Sequence, residues 1–118
     1  MRRNEQHTTT KAKASKHDDL MPLLGAMFRE FQEASKKKPD AVLNKRKVEI
    51  VNRLLREVIV ILDAEVTRAY LDLLDEDDLL QNSDVVLILG QAVAAMQTFK
   101  EKYYGWRSDR GTHDWATD

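Results

Sequence analysis

The residues best suited to chemistry in this chain of 118 residues are its histidines and carboxylates. His17 precedes Asp18 and Asp19, and His113 precedes Asp114; imidazole and carboxylate groups are common metal ligands and acid–base catalysts. Adjacent residues rarely converge on one ion, however, and neither pair has a third ligand at a recognisable spacing. We therefore expect solvated polar side chains at both places.

A run of acidic residues is the second candidate for chemistry. Residues 72–78 hold five carboxylates, the kind of ligand that calcium prefers. A calcium loop of the EF-hand type that began at Asp75 would need glycine at its sixth position and glutamate at its twelfth, where this chain has Leu80 and Val86. We therefore expect a solvated acidic loop over residues 75–82.

Other reactive constellations are missing from the sequence. The chain has no cysteine, which excludes disulfides, zinc ribbons and thiol catalysis. Its serines have no Gly-x-Ser-x-Gly context, no histidine stands in a Glu-x-x-His pair, and the four glycines form no phosphate-binding loop. The sequence therefore predicts a protein that is not an enzyme and that binds no cofactor or metal.

Charge is distributed unevenly along the chain, although the net charge is only −1. Residues 1–56 contain 14 Lys and Arg against 7 Asp and Glu, whereas residues 57–118 contain 5 against 13. Such asymmetry steers partners of opposite charge to each half, or pairs the halves within one chain or between two. Solvated opposite faces of one small domain are the simpler explanation.

Basic residues cluster around the first expected turn between helices and along the helix that follows. This basic ridge consists of Lys36, Lys37, Lys38, Lys45, Arg46, Lys47, Arg53 and Arg56. Such a ridge neutralises backbone phosphates, so association with nucleic acid is the alternative function. The small net charge, the lack of a helix-turn-helix signature and the lack of interleaved aromatic residues argue against it.

Aromatic residues gather near a C-terminus that is otherwise hydrophilic: Tyr103, Tyr104, Trp106 and Trp115. Tryptophan and tyrosine dominate the energetic centres of protein interfaces, so these four residues are the predicted protein-binding site. For Trp115, docking onto the protein's own helices is an equally open alternative.

The elements that must position these residues are predicted to be helices. Residues 1–17 lack apolar periodicity, which indicates a disordered basic tail. From Asp18 or Asp19, apolar residues recur every three or four positions up to about Lys37. This pattern predicts an amphipathic helix, which Pro39 ends because the residue before a proline is pushed out of the helical region.

Two further helical patterns follow. A strong 3.6-residue rhythm begins at Ala41 or Asn44 and predicts either one helix of about 30 residues or two helices. We favour two helices with a break near Asp63, which offers a cap. The last helix is expected to start with Ser83 as its N-cap and to stop at Gly105.

The sequence therefore predicts an all-α fold, a bundle of three to four helices over residues 18–106, between the disordered tail 1–17 and a flexible C-terminal tail, 107–118. The predicted core consists of Leu24, Phe28, Phe31, Val51, Leu55, Val58, Leu62, Ala69, Leu73, Ile88, Val93, Met96 and Phe99.

The predicted function is a non-enzymatic module for protein–protein interaction or self-association, oriented by its basic first half and acidic second half. Its expected partner is another protein or a second copy of the chain. The longest apolar runs are five residues, too short to span a membrane, and a cytoplasmic location is expected.

Overall fold

The computed structural model describes residues 7–118, which form three α-helices, one short 3-10 helix and one two-stranded antiparallel sheet. The helices are α1 (Lys11–Lys37), α2 (Lys45–Ile61), the 3-10 helix (Val66–Tyr70) and α3 (Asn82–Tyr103), and the strands are β1 (Tyr104–Arg107) and β2 (Thr112–Trp115). Residues 7–118 are 63% helical, so the predicted helical character is confirmed. The all-α prediction is wrong, because the last residues form a sheet.

Helix α1 organises the fold. It packs antiparallel against α3 over much of its length and less extensively against α2, whereas α2 and α3 have few contacts with each other. The molecule is elongated, with extents of 51 × 24 × 23 Å. The predicted bundle of three to four helices is wrong, because α1 packs mainly against α3 while α2 and α3 have few contacts with each other.

Helix α1 begins about two turns earlier than the sequence pattern indicated. Thr10 is its N-cap, and the side-chain oxygen of Thr10 accepts a backbone hydrogen bond of 3.1 Å from the first turn. His17 is buried, so this part of the helix packs against the core. The prediction of a disordered tail is therefore wrong from residue 11 onwards, and residues 1–6 of that tail lie outside the described residues.

The break that the sequence predicted near Asp63 is confirmed, because α2 ends at Ile61 and the chain turns. The next segment is a 3-10 helix with no buried residue, and not an α-helix with a core-facing stripe. Two predicted core residues, Ala69 and Leu73, are consequently exposed.

The loop that follows the 3-10 helix is fastened to α2 by the buried side chain of Asn52. Its amide nitrogen donates to the carbonyl oxygen of Leu74 at 2.9 Å, and its amide oxygen accepts from the backbone N–H of Leu74 at 2.8 Å. These bonds satisfy both backbone groups of a buried residue, as a neighbouring strand would. Leu71 and Leu74 thereby enter the core.

Helix α3 begins at Asn82 with Gln81 as its N-cap, so the predicted N-cap Ser83 is wrong by two residues. The carboxylate of Asp84 accepts from the backbone N–H of Gln81 at 2.8 Å and so stabilises the first turn. The preceding residues pair with the loop between α1 and α2 through an isolated antiparallel bridge, Val42–Gln81. This pairing holds that loop against the start of α3.

Apolar stripes of the three helices meet in one core. Seven predicted core residues are fully buried: Leu24, Val51, Leu55, Val58, Leu62, Met96 and Phe99. Four more are partly buried at its edge: Phe28, Phe31, Ile88 and Val93.

A β-hairpin replaces the helix end and the flexible tail that the sequence indicated. Helix α3 ends at Tyr103, and β1 and β2 then pair antiparallel. The predicted helix stop at Gly105 is wrong, because Gly105 lies within β1. Gly111, with φ of 65°, closes the turn in a conformation that favours glycine. The prediction of a flexible tail over residues 107–118 is therefore wrong.

Candidate interaction surface

The hairpin sorts its side chains onto two faces. Tyr104 is paired with Trp115, and Trp106 with His113. Cross-strand partners lie on the same face of a sheet, so these four side chains form one aromatic face. We refer to Trp115 and the residues that bury it as the hairpin root, and to Tyr104, Trp106 and His113 as the hairpin tip.

Trp115 anchors the hairpin root and is only 7% exposed. Its indole N–H donates to the Asp18 carboxylate at 3.1 Å, which satisfies the one polar atom of the ring. The ring centroid lies 5.1 Å from that of His17, 5.8 Å from that of Phe99 and 5.5 Å from that of Tyr104. Trp115 therefore packs onto its own helices, which was the second alternative left open by the sequence.

His17 is the polar residue at the centre of the hairpin root. Its Nε2–H donates to the carbonyl oxygen of Met96 at 2.7 Å, and its ring stacks on Phe99 with centroids 5.5 Å apart. The other ring nitrogen, Nδ1, is buried and has no hydrogen-bond partner within residues 7–118. Burial lowers the pKa of His17, against the opposing effects of the Met96 hydrogen bond and of Asp18.

Tyr103 links the hairpin root to the 3-10 segment. Its hydroxyl donates to the Glu65 carboxylate at 2.8 Å, and its ring packs against Phe99 at 4.8 Å between centroids. Burial raises the pKa of the Tyr103 hydroxyl, as does the hydrogen bond to Glu65. Tyr103 is therefore a structural residue of the core in this structure.

The two chain ends fix the hairpin from outside. The backbone N–H of Ala116 donates to the carbonyl oxygen of Tyr103 at 2.6 Å, and the N–H of Thr9 donates to the carbonyl oxygen of Ala116 at 2.9 Å. The N–H of Asp118 in turn donates to the carbonyl oxygen of Thr9 at 3.2 Å. Because three chain segments share these bonds, the hairpin is held firmly on the helices.

The hairpin tip extends beyond the buried root. Trp106 is 57% exposed and Tyr104 is 37% exposed. Among the aromatic side chains of residues 7–118, the Trp106 ring contacts only His113, edge-on at 5.4 Å, and the Lys100 ammonium lies 4.8 Å from the centroid of the Tyr104 ring. Of the four predicted protein-binding residues, Tyr104 and Trp106 are therefore accessible, and Tyr103 and Trp115 are buried.

Residues of the basic ridge lie at the opposite end of α1 from the hairpin and along the outer face of α2, and all eight are exposed. Lys36 pairs with Glu33 at 3.0 Å, and Arg56 pairs with Glu76 at 3.8 Å. The other six make no ion pair within residues 7–118. All eight side chains of the ridge are therefore accessible to solvent.

The carboxylates that were candidates for metal binding or catalysis are engaged in hydrogen bonds and ion pairs within the protein. Asp75 accepts from the N–H of Asp77 at 2.9 Å, and Asp78 accepts from the N–H of Leu79 at 2.9 Å. The Asp18 carboxylate accepts the indole N–H of Trp115, and the Asp114 carboxylate forms an ion pair with Arg110. Over residues 7–118, no three His, Asp or Glu side chains are grouped so that they could hold a metal ion.

Comparisons of the chain with protein-family models, with curated proteins and with solved structures found no match. No helix within residues 7–118 is long and apolar enough to cross a membrane.

Proposed function

We propose that this protein is a protein-binding module without catalytic activity, and that it presents the hairpin tip to a partner protein. The observation that carries the proposal is the exposed Trp106 side chain on a hairpin whose root is locked into the core. Burial of a large exposed aromatic ring in a partner's pocket removes a wide apolar surface from water, and this contributes favourably to the free energy of binding.

The rigidity of the root strengthens this proposal. An anchor residue on a flexible tail loses conformational entropy when it binds, whereas one on a fixed strand has already lost most of it. Backbone hydrogen bonds on both sides of Ala116 and the indole bond to Asp18 fix the end of β2, and β1, which carries Trp106, is paired with β2. The backbone that presents Trp106 is thus attached to the core.

The surroundings of Trp106 indicate the chemistry of the partner. Charges of both signs border the tip, with Lys100 over Tyr104 and the pair of Arg110 and Asp114 on the other face of the hairpin. The Trp106 indole N–H donates to no group within the described residues. The matching partner surface is an apolar pocket that contains a hydrogen-bond acceptor and has a polar rim.

An affinity-capture experiment tests the proposal. The full chain, its Trp106→Ala variant and a Leu87→Ala control are immobilised and exposed to an extract of the source cells. Leu87 is the matched control, because it is 64% exposed and lies on α3 away from the tip. We expect a protein that the unmodified chain and Leu87→Ala retain and that Trp106→Ala loses at least tenfold, since loss of a central anchor costs about 2 kcal/mol or more. Equal recovery on all three would contradict the proposal.

A second candidate function, association with nucleic acid, is supported by charges placed against a helix dipole. Lys45, Arg46 and Lys47 form the first turn of α2, which contains no acidic residue. The N-terminus of a helix is positive, so each cation there costs up to about 1 kcal/mol, and a bound phosphate would offset this cost.

Salt-dependent binding tests this second candidate. We expect a double-stranded probe to bind at low salt, with a log–log salt slope that Lys45→Gln/Lys47→Gln reduces. The control Lys100→Gln/Arg107→Gln removes the same charge at the other end of the molecule. Absence of binding at low salt, or equal slopes for the two variants, would contradict nucleic-acid association through the ridge.

A further inference from the structure

The hairpin is attached to the apolar core through one large side chain. Within residues 104–118, Trp115 and Ala116 are the only buried residues, and Ala116 is small. The Trp115 ring packs on His17 of α1 and on Phe99 of α3, with centroids 5.1 and 5.8 Å away. A change that weakens these two contacts therefore weakens the attachment of the whole hairpin.

One of the two rings that Trp115 covers can gain a charge. His17 is 1% exposed, its Nε2–H donates to the carbonyl oxygen of Met96, and its Nδ1 has no hydrogen-bond partner within residues 7–118. Nδ1 carries the free lone pair of the neutral ring, so it is the atom that takes up a proton in acidic solution. A titratable group thus lies at the contact between the hairpin and the helices.

The closed root provides no acceptor for a proton on Nδ1 within the described residues. Cation–π attraction to the rings of Phe99 and Trp115 offsets only part of the cost of burying an unpaired charge. Water reaches Nδ1 only if a group that covers it moves. Trp115 is that group, because it belongs to a hairpin that is otherwise largely exposed, whereas Phe99 is fixed within α3.

The Asp18 carboxylate connects His17 electrostatically with Trp115. It accepts the Trp115 indole N–H at 3.1 Å. Burial lowers the pKa of His17, the Met96 hydrogen bond and the Asp18 carboxylate raise it, and the Lys100 ammonium on α3 lowers it. From β2 the ring faces Trp115, which carries no charge. A proton on His17 attracts the Asp18 carboxylate to the ring, and this attraction competes with the bond that holds Trp115.

We propose that the hairpin root is a pH-sensitive strap: a proton from solvent that binds Nδ1 of His17 releases Trp115 from α1 and α3, and the hairpin lifts while the helices stay folded. The open root exposes the rings of His17 and Phe99. In water the His17 ring regains its ordinary pKa of 6.5, so the ratio of open to closed molecules rises by up to about tenfold for each pH unit below that value. This release occurs at the root and does not depend on a partner at the tip.

Fluorescence quenching tests the release. In Trp106→Phe, Trp115 is the only tryptophan. We expect acrylamide to quench Trp115 at least twofold more strongly at pH 5 than at pH 7.5, while far-UV circular dichroism still reports intact helices. Quenching that is constant over this range, or that rises only as the helical signal is lost, would overturn the proposal.

Substitution of the histidine tests its role in the same background. His17→Gln keeps a donor for the Met96 carbonyl oxygen but cannot take up a proton, so the quenching of Trp115 should become independent of pH. His113→Gln, in β2 of the same hairpin, is the matched control and should leave the pH response unchanged. A response that persists in His17→Gln, or one that His113→Gln abolishes, would contradict a release driven by His17.

Hydrogen exchange measures the release in the unmodified chain and remains decisive if His17→Gln does not fold. The backbone N–H of Ala116 donates to the carbonyl oxygen of Tyr103 at 2.6 Å and is freed when the root opens. Its protection, corrected for the intrinsic exchange rate, should fall by up to about tenfold per pH unit below 6.5. It should also be at least tenfold lower than that of Val58, because α2 stays folded.

Two outcomes of the exchange experiment would overturn the proposal. Equal protection of Ala116 and Val58 at every pH would show that the root opens only when the whole protein unfolds. Protection of Ala116 that does not change between pH 7.5 and pH 5 would show that protonation of His17 does not open the root.

Discussion

The root and the tip of the hairpin present the same residue type in opposite environments. Trp115 and Trp106 lie on one face of the same two strands, yet Trp115 is 7% exposed and Trp106 is 57% exposed. The difference arises from what lies beneath them: Trp115 covers His17 and Phe99, whereas Trp106 contacts His113 of the hairpin itself. A tryptophan at the root therefore stabilises the fold, and one at the tip is available to a partner.

The neighbouring tyrosines show the same contrast. Tyr103 is buried and donates to Glu65, whereas Tyr104 is partly exposed beneath Lys100. Tyr103, the last residue of α3, is therefore part of the core, whereas Tyr104, the first residue of β1, is accessible to a partner.

The largest expected effect is the loss of the root tryptophan. Trp115→Ala should lower the free energy of unfolding by about 3–5 kcal/mol, because it leaves a cavity against His17 and Phe99 and leaves Asp18 without its donor. Chemical denaturation measures the change. Trp106→Ala, the matched tip variant, should change stability by no more than about 0.5 kcal/mol. Similar losses for both variants would remove the distinction between root and tip.

The next effect separates the two tyrosines. Tyr103→Phe should cost about 1–3 kcal/mol, since it removes a donor from the largely buried carboxylate of Glu65. Tyr104→Phe should be close to neutral, because the Tyr104 hydroxyl makes no hydrogen bond within the described residues. The measurement is again denaturant unfolding, and equal costs would show that Tyr103 is not a root residue.

A pH-dependent effect follows from the buried histidine. Burial lowers the pKa of His17 in the folded state, so below its ordinary value of 6.5 the unfolded chain takes up a proton that the folded chain does not. The His17 contribution to the free energy of unfolding should therefore be constant above that pH and fall as the pH is lowered below it. His17→Phe removes this component, which the difference between the two pH profiles measures. Parallel profiles between pH 7 and pH 5 would contradict a lowered pKa for His17 in the folded state.

The smallest effect is spectroscopic. Trp106→Phe leaves Trp115 as the only tryptophan, and Trp115→Phe leaves Trp106. We expect acrylamide to quench the fluorescence of the exposed Trp106 much more strongly than that of Trp115, with the fold unchanged by circular dichroism. Equal quenching would show that the tip is covered in solution or that the root is open.

Parts of the fold that depend on local periodicity could be predicted from the sequence. The apolar stripe of α2, its end before Asp63 and most of the α3 stripe follow from spacing alone. The hairpin could not be predicted in this way, because each of its strands is only four residues long. Its stability comes from a contact between Trp115 and Asp18, which are 97 residues apart in the sequence.

The candidate surfaces were also only partly predictable, because burial depends on contacts between residues far apart in the sequence. Composition located the aromatic residues, but only tertiary contacts separate Trp106 from Trp115. The position of His17, one turn before Leu20 on the same stripe, was a usable signal of burial that its acidic neighbours obscured.

Photo-cross-linking from the tip tests the central claim most directly. A photoreactive phenylalanine analogue replaces His113, the exposed neighbour of Trp106, in one variant and the exposed Leu87 in another, and both are irradiated in an extract of the source cells. If the tip is the protein-binding surface, position 113 will give a discrete protein adduct that position 87 does not give. The same adducts at both positions, or none at position 113, would contradict a binding role for the hairpin tip.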